Sequence, residues 1–255
     1  MLKSIPIANA ITLANLTCGL LAIPLALNTE TSHYAFYLVI LAAIFDFFDG
    51  MVARLLGQEG PLGQQLDSLA DLVSFGVVPG LIWKSWMETK GYCPPTGFCI
   101  NSYIWLLIPL ASAYRLARFN VESGGSTYFT GIPTPLTGIT LASFALIGSS
   151  FGTNAGFSGI DSLPILSFPK MIFNHVYLWL YLPLVASFFM ISDYPMLSLK
   201  FNSSDGVNTW RWLFIGGSIL LIPLLGNAAF FGIYLWFILA SFIAFRGRTN
   251  NTESL

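Results

Sequence analysis

Eight apolar runs, each long enough to cross a lipid hydrocarbon core, follow one another along this 255-residue chain. A crossing takes about 20 residues of helix, and the runs fall at roughly 9–27, 34–56, 62–86, 102–119, 135–152, 171–192, 212–226 and 228–246. In lipid, each backbone polar group must be satisfied inside the structure, so runs of this length read as helices. The expected fold is therefore all-α: a polytopic membrane helix bundle of about eight transmembrane helices. Composition agrees, with 9% charged residues against about 25% in a soluble domain. The last boundary rests on Gly226 and Asn227, the turn signal inside a long apolar stretch. Seven spans would put the C-terminus on the opposite side.

Basic residues accumulate in short cytoplasmic loops. With both termini inside, Lys3, Arg54, Arg115, Arg118, Lys200, Arg211, Arg246 and Arg248 fall at cytoplasmic ends, and Lys84, Lys90 and Lys170 at outer ones. Eight against three favours that orientation. The polar connections "GQEGPLG", "NVESGGSTYFTGIPTP" and "SDYPMLSLKFNSSDGVNTW" then all face inward, so a site opening to the cytoplasm is expected in a multi-pass protein of the cell membrane. A net charge of -1 and the lack of a basic stripe give no sign of nucleic-acid binding. The first run is span-length and has no clear small-x-small cleavage site, so it is expected to remain as the first span. Cys93 and Cys99, in the outward loop "YCPPTGFC", are expected to pair as a loop staple, with two unpaired thiols as the alternative. Cys18 reads as a small packing residue.

Charge is concentrated where the apolar pattern makes it expensive. Asp46, Asp49, Gly50, Ala53 and Arg54 lie on the second span within an arc of roughly 140° at 100° per residue. On the third, Gly63, Asp67, Asp71 and Ser74 share less than about a quarter turn. A short loop joins the two helices, so their acidic stripes can face each other near the cytoplasmic end. An ionised Asp at mid-membrane costs about 2.5–3.5 kcal/mol on insertion scales, and facing carboxylates also repel. Carboxylate oxygens suit Mg²⁺, Mn²⁺ or Ca²⁺, and a pair of such ions can hold a pyrophosphate. Gly50 would let a bulky group lie against the helix, and Arg54 offers a forked donor for phosphate oxygens. Two plainer readings stand beside this one: an ion pathway, or neutralisation of buried arginines.

The spacing Asp46-x2-Asp49-Gly50-x2-Ala53-Arg54-x8-Gly63-x3-Asp67-x3-Asp71 resembles the signature of the CDP-alcohol phosphatidyltransferases at every fixed position. The resemblance implies a six-helix core, usually homodimeric, in which an alcohol displaces CMP from a CDP-linked lipid. It implies that Asp46, Asp49, Asp67 and Asp71 hold two divalent ions, Mg or Mn, and that Asp71 is also the general base. Gly50, Ala53, Arg54 and Gly60 would contact CDP and its phosphates. An amino-terminal P-N-x-x-T element of the family reads Ala8-Asn9-Ala10-Ile11-Thr12 here, without its proline, leaving Asn9 and Thr12 as nucleotide contacts. "TLANLTCG", "DLVSFGVVP", "YRLARFN", "FTGIPTP" and "MISDYPMLS" resemble the serine-synthase branch. That implies CDP-diacylglycerol and L-serine as substrates, residues 1–200 as the core, and 201–255 as two further helices and a tail of the same unit.

Outside the signature, Arg115 and Arg118 are candidates for phosphate or the serine carboxylate, or else topology anchors. Asn15 and Ser74 could touch substrate or simply satisfy neighbouring helices. His33 and His175 lie near outer ends, away from the acids. Other acceptors, glycerol 3-phosphate or inositol phosphate, carry phosphate dianions and would favour a richer basic pocket. An aspartate-rich prenyltransferase typically has its acidic motifs far apart, unlike Asp49 and Asp67. A cation transporter would need no Gly-x2-Ala-Arg insertion between its acids.

Overall fold

The computed structural model describes residues 6–88, 100–122, 129–146, 180–197 and 208–246. Its main helices are α1 (Ile7–Ala26), α2 (Ser32–Leu56), α3 (Pro61–Asp71), α4 (Val78–Glu88), α5 (Leu107–Glu122), α6 (Thr134–Ala142), α7 (Leu182–Ile191), α8 (Asn208–Leu225) and α9 (Ala229–Phe245). A π-helical turn, Leu72–Val77, joins α3 to α4 without a break, and a 3₁₀ segment, Ile100–Leu106, leads into α5. The protein is a polytopic helical membrane bundle. Four helical stretches, Ile7–Ala26, Ser32–Leu56, Pro61–Glu88 and Asn208–Leu225, are long and apolar enough to cross a membrane. Thr134–Leu146, Leu182–Ile191 and Ala229–Phe245 are shorter apolar helices. The expected fifth and sixth spans run into residues 147–179, which lie outside the described residues, as do Cys93, Cys99, His175 and Lys200.

Local sequence explains the chain breaks that frame the site. Gly57 sits at φ 60°, in left-handed backbone that favours glycine, and the Gln58 N–H donates to the Ala53 carbonyl at 2.9 Å. That is a Schellman-type stop, which ends α2 just past Arg54. Four residues on, Pro61 stands at the first position of α3, where its missing N–H costs nothing. Gly226, at φ 53°, opens the 3₁₀ turn between α8 and α9, which pack on each other. The break between the last two spans therefore falls at the expected Gly226–Asn227 signal.

α1 is the organising helix, packing along α2 and also against α3. Backbone contacts between α2 and α3 themselves are sparse, and α1 packs on both. The α1–α2 seam uses small buried residues, Ala22, Ala26, Ala35 and Ala42, which let backbones approach where lipid supplies no hydrophobic drive for association. Phe75, Val78 and Ile82 continue this core from the π turn into α4. Outward-facing Leu20, Leu21, Phe47, Leu220 and Leu239 leave half or more of their surface exposed, as a lipid-facing surface does. Beyond the bundle, a short antiparallel clasp pairs β1 (Phe129–Thr130) with β2 (Pro195–Met196).

Candidate active site

The facing acidic stripes converge. Carboxylate oxygens of Asp46, Asp49 and Asp67 all lie within 4.8 Å of one another, and Asp46 also faces Asp71. Helix periodicity explains the pattern: Asp46 and Asp49 are one turn apart on α2, Asp67 and Asp71 one turn apart on α3. Two ionised carboxylates at that separation repel by about 3–4 kcal/mol if the effective dielectric constant is about 20. The buried oxygens Asp49 Oδ2 and Asp67 Oδ1 find no hydrogen-bond partner among the described residues. An all-oxygen donor set with orphaned carboxylate oxygens fits hard divalent cations such as Mg²⁺ or Mn²⁺.

A cavity of about 620 Å³ opens beside these acids. Its lining includes Asp49 and Asp67, with Asn9 and Thr12 from α1, Gly50, Ala53 and Arg54 from α2, and Gly60 and Gly63 from the α2–α3 junction. These candidate residues come from three helices and meet around one space. Thr12 faces the Asp49 carboxylate. A Cβ added at Gly50 or Gly60 would meet nothing within 4 Å, so both glycines border open space. At Gly63 a Cβ would stand 3.1 Å from Asn9 Oδ1. The close approach that glycine permits there is therefore to α1 rather than to α2.

Asp71 lies deeper and is 6% exposed. Asn15 Nδ2 donates to its Oδ1 at 3.4 Å, while Ser74 Oγ donates to Asn15 Oδ1 at 2.8 Å. The serine thereby fixes the amide of Asn15 with its NH₂ turned to the carboxylate. Asn15 and Ser74, read from sequence as substrate contacts or packing groups, form a chain that orients Asp71. The π turn begins immediately after Asp71, and such turns recur at functional sites. Three helices grip it closely: a Cβ at Gly19 of α1 would lie 2.5 Å from Ser74 Oγ, and one at Gly138 of α6 2.6 Å from the Phe75 carbonyl oxygen. Gly76 in the turn itself meets Ser112 of α5 at 3.1 Å.

Arg115 and Arg118 lie one helical turn apart on α5. Arg115 donates through an Nη to Thr134 Oγ1 at 3.2 Å, its buried Nε has no partner among the described residues, and its charge acts on Asp71. Arg118 forms an ion pair with Asp193 at 2.5 Å. Asp193 precedes β2, and Thr134 follows β1. The segments "YRLARFN", "FTGIPTP" and "MISDYPMLS" therefore meet in one place. Gly131 N–H donates to the Tyr194 carbonyl and Ile132 N–H to the Phe189 carbonyl, closing the junction.

Several lining residues were not singled out from sequence. Gln58, Glu59, Gln64 and Phe119 border the cavity, and Gln64 Nε2 donates to Asn120 Oδ1 at 3.1 Å while Asn120 Nδ2 donates to Ser68 Oγ at 2.8 Å. The signal was the polar run "GQEGPLGQQ" between two acidic stripes, which reads as an ordinary loop until its ends are brought to the cavity.

Known proteins resemble this chain over most of its length. Residues 5–185 match the family model described as CDP-alcohol phosphatidyltransferase. The chain is 36% identical over 155 residues to the archaetidylserine synthase of Methanothermobacter thermautotrophicus, covering 60% of this chain and 63% of that protein. It is 34% identical over 161 residues to the CDP-diacylglycerol--serine O-phosphatidyltransferase of Bacillus subtilis, covering 62% of this chain and 87% of that one. To the protein of that name from Saccharomyces cerevisiae it is 39% identical over 152 residues, 54% of this chain and 52% of the yeast one. With its helical bundle, its converging acidic stripes and a family match over most of its length, the chain belongs to the CDP-alcohol phosphatidyltransferase family.

Proposed function

We propose that the protein is a phosphatidylserine synthase, transferring the phosphatidyl group from CDP-diacylglycerol to the hydroxyl of L-serine and releasing CMP. The observation that carries the reading is the cavity bordered at once by Asp49 and Asp67 of the signature, Arg54, and Asn9 and Thr12 of α1. The relatives' names vary in the lipid but share serine as the acceptor.

Asp46, Asp49, Asp67 and Asp71 would hold two divalent ions, which when bound neutralise charge on the pyrophosphate and on the departing CMP. The open space beside Gly50 and Gly60 admits the nucleotide, with Asn9, Thr12 and Ala53 as its walls and Arg54 as a forked donor to phosphate oxygens. Acyl chains stay in lipid, since the outer faces of α1 and α2 are apolar and exposed. Serine enters between Asp71 and the arginine pair, where Arg115 and Arg118 face its carboxylate. Its hydroxyl oxygen bonds to the lipid-bearing phosphorus as the bond from that phosphorus to the CMP oxygen breaks. The hydroxyl proton passes to Asp71, held in place by Asn15 and Ser74. The site faces the cytoplasm, with both termini inside and the protein working as a homodimer; the basic-residue distribution supports the orientation, and the family resemblance supports the pairing.

The test is a detergent assay with CDP-diacylglycerol and Mn²⁺, following CMP release as L-serine, glycerol 3-phosphate and inositol phosphate are supplied singly. Release with serine, accompanied by a new amino-phospholipid, is expected. Release only with a phosphorylated alcohol would retain the aspartate chemistry and overturn the acceptor.

A further inference from the structure

The family match ends at residue 185, and α8 and α9 lie wholly beyond it. Yet α9 touches both structures that hold the arginine pair. Ser241 on α9 is fully buried, and its Oγ accepts the N–H of Leu197, just past β2, at 3.2 Å. Ile132, Met196 and Leu197, from the two arms of the clasp, share one apolar cluster with Tyr234, Phe237 and Ala240 of α9. On its other flank, α9 meets α6. The buried Tyr234 ring shares an apolar cluster with Ile132 and with Leu136 of α6, its hydroxyl making no hydrogen bond among the described residues, and Thr140 Oγ1, which donates to the Leu136 carbonyl at 2.8 Å, lies 3.5 Å from the Phe230 carbonyl oxygen. Leu136 shares α6 with Thr134, which accepts from Arg115. The clasp in turn adjoins Asp193, the partner of Arg118.

We propose that α9 is a positioning element for the acceptor half of the site, with Tyr234 acting through α6 on Arg115 and Ser241 acting through the clasp on Arg118. The inference rests on the reading in which these arginines face the serine carboxylate. A guanidinium binds a carboxylate best in a planar, two-bond geometry, so small displacements of either arginine weaken the acceptor's hold. The nucleotide cavity is built from α1 to α3 and Phe119, none of it from α9. The donor side should therefore not register the change.

Tyr234→Leu withdraws the ring from the cluster it shares with Ile132 and Leu136 while keeping an apolar side chain, and Ser241→Ala leaves the Leu197 N–H without its acceptor. Leu239→Ala, on the same helix with 51% of its surface exposed, serves as the control. For each variant, kcat, the KM values for acceptor and CDP-diacylglycerol, and the melting temperature are measured in detergent. Tyr234→Leu and Ser241→Ala are each expected to raise the KM for L-serine roughly three- to ten-fold, with kcat and the KM for CDP-diacylglycerol within about two-fold of wild type. Leu239→Ala should move none of them. An unchanged serine KM, or both KM values rising together, would overturn the role of α9. If Ser241→Ala fails to fold, Tyr234→Leu alone decides. If the wild-type chain uses a different alcohol, the serine reading fails, and the same comparison with that alcohol still tests α9.

Discussion

Asp71 is the residue on which the chemistry turns, and its surroundings predict how it responds to substitution. Asparagine has nearly the same shape but cannot take a proton. Asp71→Asn is therefore expected to keep the fold and nucleotide binding while turnover falls by about 10³-fold or more. Parallel activity and CMP-binding measurements check this, and wild-type turnover would remove Asp71 as the base. Ser74→Ala probes the layer behind it. Without the hydroxyl, the Asn15 amide is free to reverse, and kcat should fall by about 10- to 100-fold, the range seen when outer-shell partners of metal ligands are lost. An unchanged kcat would leave the Asn15–Ser74 chain a packing feature. At this scale the sequence was most informative about the acids, because an aspartate in an apolar helix is conspicuous wherever it sits. It was least informative about Asn15 and Ser74, whose link spans 59 positions along the chain. Local spacing carries no trace of a partner that far away.

Among the elements, the π turn after Asp71 is closely packed by three helices. At Gly138, any Cβ would lie 2.6 Å from the Phe75 carbonyl oxygen and 2.7 Å from its Cα. Rigid backbone cannot give way as a flexible side-chain end would. Gly138→Val is thus expected to destabilise the protein by about 1–3 kcal/mol, as overpacking does, and to depress turnover because the strain falls on the turn beside Asp71. Thermal unfolding and activity in detergent test both halves, and a variant with wild-type stability would contradict the packing. The boundaries of α2 and α3 were legible beforehand, since Gly57 and Pro61 are strong stop and start signals. The π turn was not, because "LVSFGV" reads as ordinary apolar helix. Its geometry comes with contacts from α1, α5 and α6.

For the whole molecule, convergence of the acids makes metal binding and stability a single question. Ions that bind only the folded site stabilise it by mass action, about 2.7 kcal/mol at one hundred times the dissociation constant. Mn²⁺ or Mg²⁺ should therefore raise the melting temperature of the wild type, and Asp49→Asn or Asp67→Asn should abolish most of that shift. Full activity in excess chelator would exclude the metal requirement. The orientation has its own test. In a background without native cysteines, Glu59→Cys, next to the cavity, should react with a membrane-impermeant thiol reagent from the cytoplasmic side. Glu30→Cys, in the α1–α2 connection, should react from the outer side. The reverse pattern would invert the topology.

The sequence alone determined that the chain is a bundle of membrane helices, where most of those helices turn, and which acids share a face. Hydropathy, turn residues and helical period are local quantities, and a membrane sharpens them by penalising every unpaired backbone group. Only the tertiary structure decided that α1 packs on both α2 and α3, that Asn15 and Ser74 steady Asp71, and that α9 reaches the segments holding Arg115 and Arg118. Each of those depends on which helix lies beside which. In lipid, that choice is made by close packing and side-chain hydrogen bonds between residues far apart in the chain, while hydrophobicity, nearly equal among apolar helices, cannot make it.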